Sequence, residues 1–200
     1  MSLPQPSHAA VEPGASTPGE FSPEERGILL QLAHDSILSA LEERDISLDA
    51  PTAHLAEPRG AFSSLYLHGQ LRGCVGYVLP VSPVYRAVAD TARAAAFEDT
   101  RFNRVTRDEA RELQIELSIL SPPEPIAAEA VEVGRHGLII GMAGYRGLLL
   151  PQVPFEHHWD RIAFLQQTCR KAGLPTDAWQ KGATIEAFTA EVFGEKQLRL

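Results

Sequence analysis

Apolar residues recur at spacings of three and four through Leu29, Leu32, Ala33, Ile37 and Leu41, and this stripe predicts a long amphipathic helix. Its start is signalled by Phe21-Ser22-Pro23-Glu24-Glu25. Ser22 can cap, Pro23 suits the first helical position and Glu25 completes a capping box. The helix runs out in the charged Glu42-Glu43-Arg44-Asp45. The period then drops to two. Ala61 to His68 and Leu71 to Leu79 flank Gly69-Gln70 and predict a β-hairpin turned at the glycine. Ser82-Pro83 repeats the cap-plus-proline signal, for a helix through Val84, Ala87, Val88, Thr91 and Ala95.

A capped turn at Thr106-Arg107-Asp108-Glu109 leads into an alternating strand from Leu113 to Leu120. Leu113, Ile115, Leu117 and Ile119 share one face; Gln114, Glu116 and Ser118 share the other. Ser121-Pro122-Pro123-Glu124-Pro125 predicts a loop, because prolines supply no donors to a sheet ladder. The second half partly echoes the first. Gly137 to Met142, a turn at Ala143-Gly144, and Tyr145 to Pro151 form another hairpin, followed by a helix from Trp159 to Lys171 that Gly173 and Pro175 end. A last strand alternates from Thr184 to Phe193. Leu71-Arg72-Gly73 and Tyr145-Arg146-Gly147 hold matching places, which suggests two duplicated hairpin-helix units. The expected fold is α+β, with a mainly antiparallel sheet and flanking helices.

Residues 1–20 are rich in Pro, Ser, Ala and Gly and lack any periodic apolar pattern, so they predict a disordered tail ahead of a folded domain at 21–200, with room for two subdomains. Eighteen Lys and Arg against 26 Asp and Glu give a net charge of -8, which repels a phosphate backbone and argues against nucleic-acid binding. Two cysteines cannot build a disulfide scaffold or a Cys-rich zinc site. No basic leader and no apolar run of about 20 residues is present, so neither export nor membrane residence is expected and the location is read as cytoplasmic.

The chemistry candidates begin at LRGCVGY, residues 71–77. Residues two apart on a strand share a face, so Arg72 and Cys74 are expected side by side, with Gly73 and Gly76 leaving the backbone approachable. A guanidinium near a thiol favours the nucleophilic thiolate. The competing account makes Cys74 a small buried hydrophobe beside packing glycines. In Phe97-Glu98-Asp99-Thr100-Arg101-Phe102, Glu98 or Asp99 could act as a general acid or base, or could hold Arg72; a helix-ending ion pair with Arg101 is the alternative. Glu116 and Ser118 could line a cleft or form the wet side of a one-sided sheet. His136 is the candidate base if Cys74 is catalytic. His157-His158 lacks further ligands at a recognisable spacing, so no metal is assigned, and no cofactor is named by any motif. Cys169 falls in an apolar helix stripe and is read as core.

Leu71-Arg72-Gly73-Cys74-Val75-Gly76 resembles the LRGCIG signature of the AMMECR domain family, whose bacterial and archaeal members are called AmmeMemoRadiSam system protein A. Residues 94–102, AAAFEDTRF, resemble that family's AAAFEDPRF, and 114–125 its IEVSVLSPPEPI strand. Gly134-Arg135-His136-Gly137-Leu138 is similar to GKHGL, residues 146–153 to GLLLPQV, and 169–174 to CxKAGL. The resemblance spans about 22–195, with Val75 for Ile and Thr100 for Pro as mild departures. It implies two related units around one strongly curved sheet. It also implies action beside a Memo-like protein and a radical SAM enzyme, with no defined reaction. Two expectations follow: a thiol-dependent enzyme with its cleft at the LRGCVG motif, or a non-catalytic adaptor that docks a partner on the same surface.

Overall fold

The computed structural model describes residues 19–195; the tail expected over 1–20 lies outside these except for Gly19 and Glu20. Helix α1, Pro23–Leu41, begins with the capping box foreseen, Ser22 accepting from the Glu25 N–H and Glu25 accepting from the Ser22 N–H. Strands β1, Gly60–Leu67, and β2, Gln70–Tyr77, form the first hairpin. Its two-residue turn puts His68 at φ 51° and Gly69 at φ 81°, the left-handed pair that matches the twist of the flanking strands. Helix α2 spans Val84–Phe97 and α3 Arg107–Ala110. At α2 the sequence expectation is off by one role. Pro83, not Ser82, takes the capping position and no side chain caps it; the Ser82 carbonyl lies one residue earlier and accepts the Arg59 N–H.

Strands β3, Gln114–Leu120, β4, Glu124–Pro125, β5, Gly137–Met142, and β6, Tyr145–Leu149, follow, then helices α4, Gln152–Glu156, and α5, Arg161–Lys171, and strands β7, Thr184–Phe188, and β8, Ala190–Gly194. The strands divide into two four-stranded antiparallel sheets, ordered β2-β1-β3-β8 and β4-β7-β5-β6. The fold is α+β, as expected, but the single curved sheet is split. The split falls at Thr189, where the run of alternating residues 184–193 changes sheet. There the Ser121 N–H donates to the Thr189 carbonyl and the Thr189 N–H to Ser121 Oγ, each at 3.0 Å. Leu120, Ile139 and Phe188 fill the junction, with Phe62 packed on them. The expected Ser121–Pro125 loop keeps a short edge strand, tolerable because a proline at a sheet edge withdraws a donor that would otherwise lack a partner. Helix α4 had no sequence signal.

Helices α1 and α2 cover one face of the first sheet. Leu29, Ala33, Ile37, Val84, Val88 and Ala92 bury against Ala61, Leu65, Ile115, Leu117 and Phe193. Ser63, also on this face, is sealed but satisfied by Thr91, 2.8 Å away. Helix α5 covers the second sheet through Phe164, Leu165 and Cys169, confirming Cys169 as core. Among the described residues no helix is long and apolar enough to cross a membrane.

Both Arg-Gly glycines press on helix backbone. A β-carbon at Gly73 would lie 2.1 Å from the Ala95 carbonyl oxygen, and one at Gly147 2.1 Å from the Ala172 nitrogen. Such distances are far inside van der Waals contact, so neither position admits a side chain without moving its helix.

Candidate functional site

The face of the first sheet away from α1 and α2 carries the side chains that sequence alternation assigns to the polar side. Its rows are set by register. Cys74 pairs with Ser64, Ser64 with Glu116 and Glu116 with Gly194, a row across all four strands. One row over, Gly76 pairs with Phe62, Phe62 with Ser118 and Ser118 with Val192. A β-carbon at Gly76 would meet the Phe62 ring at 2.3 Å, so this glycine makes room for the ring that reaches the junction. On the other side Leu71 pairs with Tyr66 and Tyr66 with Gln114.

The register shifts between Leu65 and Tyr66, so Arg72 is the extra residue of a β-bulge. This removes Arg72 from the alternation that would have set it beside Cys74. Its guanidinium instead makes a two-pronged pair with Glu109, at 2.9 and 3.1 Å, and donates to the carbonyls of Asn103 at 2.7 Å and Arg104 at 3.3 Å. The same Glu109 closes the α3 capping box with Thr106. Hydrogen bonds from Arg72 first, then from the Thr106 backbone, hold its carboxyl down to about 2. Arg72 is therefore a rivet between β2 and the loop that follows α2.

The same loop reaches Cys74. Strand β2 is a sheet edge, and at Cys74 its outward N–H and C=O are taken by side chains. The Cys74 N–H donates to Asp99 Oδ2 at 2.9 Å, and Arg101 Nη2 donates to the Cys74 carbonyl at 3.1 Å. Asp99 and Arg101 are themselves paired at 2.7 Å. Asp99 is nearly sealed, and Arg101 first, with the Cys74 N–H second, holds its carboxyl well below the usual carboxylate range. Arg101 in turn titrates above its ordinary value, through Asp99 first and with a smaller contribution from the Cys74 sulfur.

Cys74 itself is half-buried and free. The Ser64 hydroxyl donates to Sγ at 3.3 Å. The Tyr66 hydroxyl is pushed up by burial first, then by the charges of Glu116 and Cys74, which keeps it a proton donor at neutral pH. Beyond Ser64 lies a cavity of about 340 Å³ lined by Tyr66, Gln114, Glu116, Gly194 and Glu195.

The structure thus brings together Cys74, Asp99 and Arg101, with Glu116 one strand beyond Ser64. It places the others elsewhere. Glu98 caps the C-terminus of α2 on the helix side of the sheet, among Arg93, Phe97 and Arg104. His136 lies just before β5 of the second sheet, lining a cavity of about 380 Å³ with Ser121, Pro122 and Phe188. Its Nδ1 accepts the Glu132 N–H at 3.1 Å, and burial, the largest influence, pushes its pKa down. Ser64 and Tyr66 were missed. The hairpin pattern signals their strand and even their face, but a regular turn at His68-Gly69 would pair Ser63 with Cys74, and only the bulge brings Ser64 there.

For metal, Glu20, His54 and Glu57 are the group among the described residues whose ligand atoms lie within 4.8 Å of one another. The Arg59 guanidinium already bonds both of those carboxylates. His157 is stacked on Trp159, ring centroids 4.7 Å apart.

The comparisons with known proteins bear out the resemblance. The AMMECR1 family model matches residues 30–193. A protein of Methanopyrus kandleri is 42% identical over 187 residues, spanning 87% of this chain and 90% of its own length. One from Aquifex aeolicus is 37% identical over 179 residues, spanning 84% and 92%. The crystal structure of an uncharacterized protein from Pyrococcus horikoshii superposes with a TM-score of 0.68 at 38% identity, covering 84% of this chain and 89% of that one, and shares the fold.

Proposed function

We propose, since this chain belongs to the AMMECR1 family, that it is a thiol-dependent group-transfer enzyme whose nucleophile is Cys74. The observation that supports this is the row Cys74–Ser64–Glu116, which lines up a free thiol, a hydroxyl and a carboxylate on an open sheet face. In this reading the Ser64 hydroxyl, which donates to Sγ at rest, turns to accept the thiol proton and passes its own to the Glu116 carboxylate opposite it. Sulfur then bonds to an activated ester, amide or amidine carbon of the substrate as its bond to the leaving group breaks, and the leaving group takes the proton from Glu116. A second nucleophile, giving its proton to Glu116, displaces sulfur, which departs as thiolate and takes that proton back to restore the thiol.

Asp99 and Arg101 are positioning residues here, because they fix the peptide that carries the thiol. Arg72 anchors the loop that bears them. Glu98 and His136 are given no step, since neither is on the face that Cys74 shares with Ser64 and Glu116. The partners belong to the same proposal. A Memo-like protein and a radical SAM enzyme are implied by the LRGCVG, AAAFEDTRF and neighbouring segments, and a shared modification pathway in the cytoplasm would place this transfer beside theirs.

The test is alkylation of the native protein by iodoacetamide, read residue by residue by mass spectrometry. Cys74 is expected to react faster than free cysteine at the same pH and to slow in Glu116→Gln. A rate no faster than the free thiol, or indifference to Glu116, overturns the nucleophile. A Cys74→Ser variant that keeps every partner-dependent activity would favour an adaptor instead.

A further inference from the structure

The Cys74 row does not stop at Glu116; it opens into the 340 Å³ cavity. Its lining has an uneven chemistry. Glu195 is committed, its Oε1 2.6 Å from His34 Nε2 and its Oε2 accepting the Ile115 N–H at 3.2 Å. Glu116 is different. It is half-buried on the sheet, and among the described residues its carboxylate forms no ion pair with any lysine, arginine or histidine. A carboxylate on a cavity wall without a countercharge can form a charge-assisted hydrogen bond with a cationic ligand. The Tyr66 side chain supplies an aromatic wall beside it, whose face attracts cations. Gln114 adds a neutral amide, and among the described residues no cationic one lines the cavity.

We infer that this cavity binds the positively charged nitrogen of the substrate, a primary ammonium or guanidinium group, with its carbon chain directed along the row toward Cys74. The inference rests on the Cys74 reading only for that direction; the cation site itself rests on Glu116, Tyr66 and the cavity. Two inter-strand spacings separate Cys74 from Glu116, about 10 Å between backbones. Side chains shorten that span, so the group that reacts lies several bonds from the charged nitrogen. Two carboxylates repel an anion, and a wholly apolar ligand would bring Glu116, whose neighbour is the Tyr66 hydroxyl, no countercharge.

The probes are agmatine and 1,4-diaminobutane, with butan-1-ol and glutarate as neutral and anionic counterparts, titrated by calorimetry into the native protein. Saturable binding of the two amines alone is expected, weakened at least about tenfold in Glu116→Gln, which corresponds to 1.4 kcal/mol. Glu129→Gln removes an equal charge from an exposed site and should bind as the parent does, which separates the cavity from general attraction to an acidic protein. Glu116→Asp, which keeps the charge, should retain part of the affinity if Glu116→Gln fails to fold. No amine binding, or binding equally weakened in Glu129→Gln, overturns the cation site. In the same samples the amines should slow alkylation of Cys74. Amine binding that needs Glu116 while Cys74 stays inert sinks the nucleophile and leaves the cation site standing. A reactive Cys74 without amine binding does the reverse.

Discussion

Arg72 was expected to act on the Cys74 thiol and is instead consumed by Glu109 and two carbonyls. The reason is one residue of bulge, which no alternation pattern announces. This assigns Arg72 and Glu109 a stability role with a defined pH dependence. The Glu109 carboxyl titrates at about 2 in the folded chain against an ordinary 4.5, so its contribution is full above about 4.5 and is lost as pH falls toward 2. Glu109→Gln should therefore lower stability at pH 7 by about 1–3 kcal/mol, because Arg72 would lose its countercharge while largely buried. The gap between parent and variant should narrow in urea melts as pH falls below about 4.5 and close only at or below about pH 2, and an undiminished gap there would remove Arg72 from this account. Asp99→Ala leaves the Cys74 N–H without its acceptor and should lower stability by the same measurement. At this scale the sequence names Cys74, Asp99, Arg101 and Glu116 but cannot seat them, because side-chain partners depend on register. Ser64 and Tyr66 are ordinary strand residues until the bulge brings them opposite the motif.

Elements were more legible than contacts. The Ser22 and Thr106 capping boxes, both hairpins and the Gly173 helix end are local signals, and the structure carries each one. What escaped were features outside the local pattern: the uncapped start of α2 at Pro83, and β4, which exists because β7 offers an edge. The glycines divide in the same way. Gly69 serves a local turn and needs only its positive φ, so Gly69→Ala should cost about 1 kcal/mol. Gly73 serves helix packing. Gly73→Ala must displace the backbone of α2 at Ala95 and should cost about 1–3 kcal/mol, with altered near-ultraviolet dichroism that Gly69→Ala does not show. Equal effects of the two substitutions would contradict the packing role of Gly73.

Across the whole molecule, the segment ahead of α1 is tied down by charge. The Glu20 N–H donates to Glu191 at 2.6 Å, Arg59 pairs with Glu20 and Glu57, and His54 is 2.9 Å from Glu25 and stacked on Phe21. Burial pulls the His54 pKa down, but hydrogen bonds and charge from Glu25 and Glu20 outweigh it and leave the pKa raised. A raised histidine contributes its stability in full below the ordinary 6.5 and loses it as pH rises through the folded value. His54→Gln should thus melt lower than the parent at pH 5.5, with the gap narrowing toward pH 8. A gap that widens with pH would contradict the assignment. The division into two sheets was not readable, because Thr189 sits inside an unbroken alternation.

That division also sets an order of assembly on the ribosome. Strand β3 ends at Leu120, yet its outer neighbour β8 begins at Ala190, so about seventy residues must be synthesised before the edge is covered. Until then the nascent chain carries an unpaired edge flanked by apolar residues, a template for pairing with another copy. Ribosome-bound chains halted before residue 190 should engage chaperones, and release should come with the closing strand.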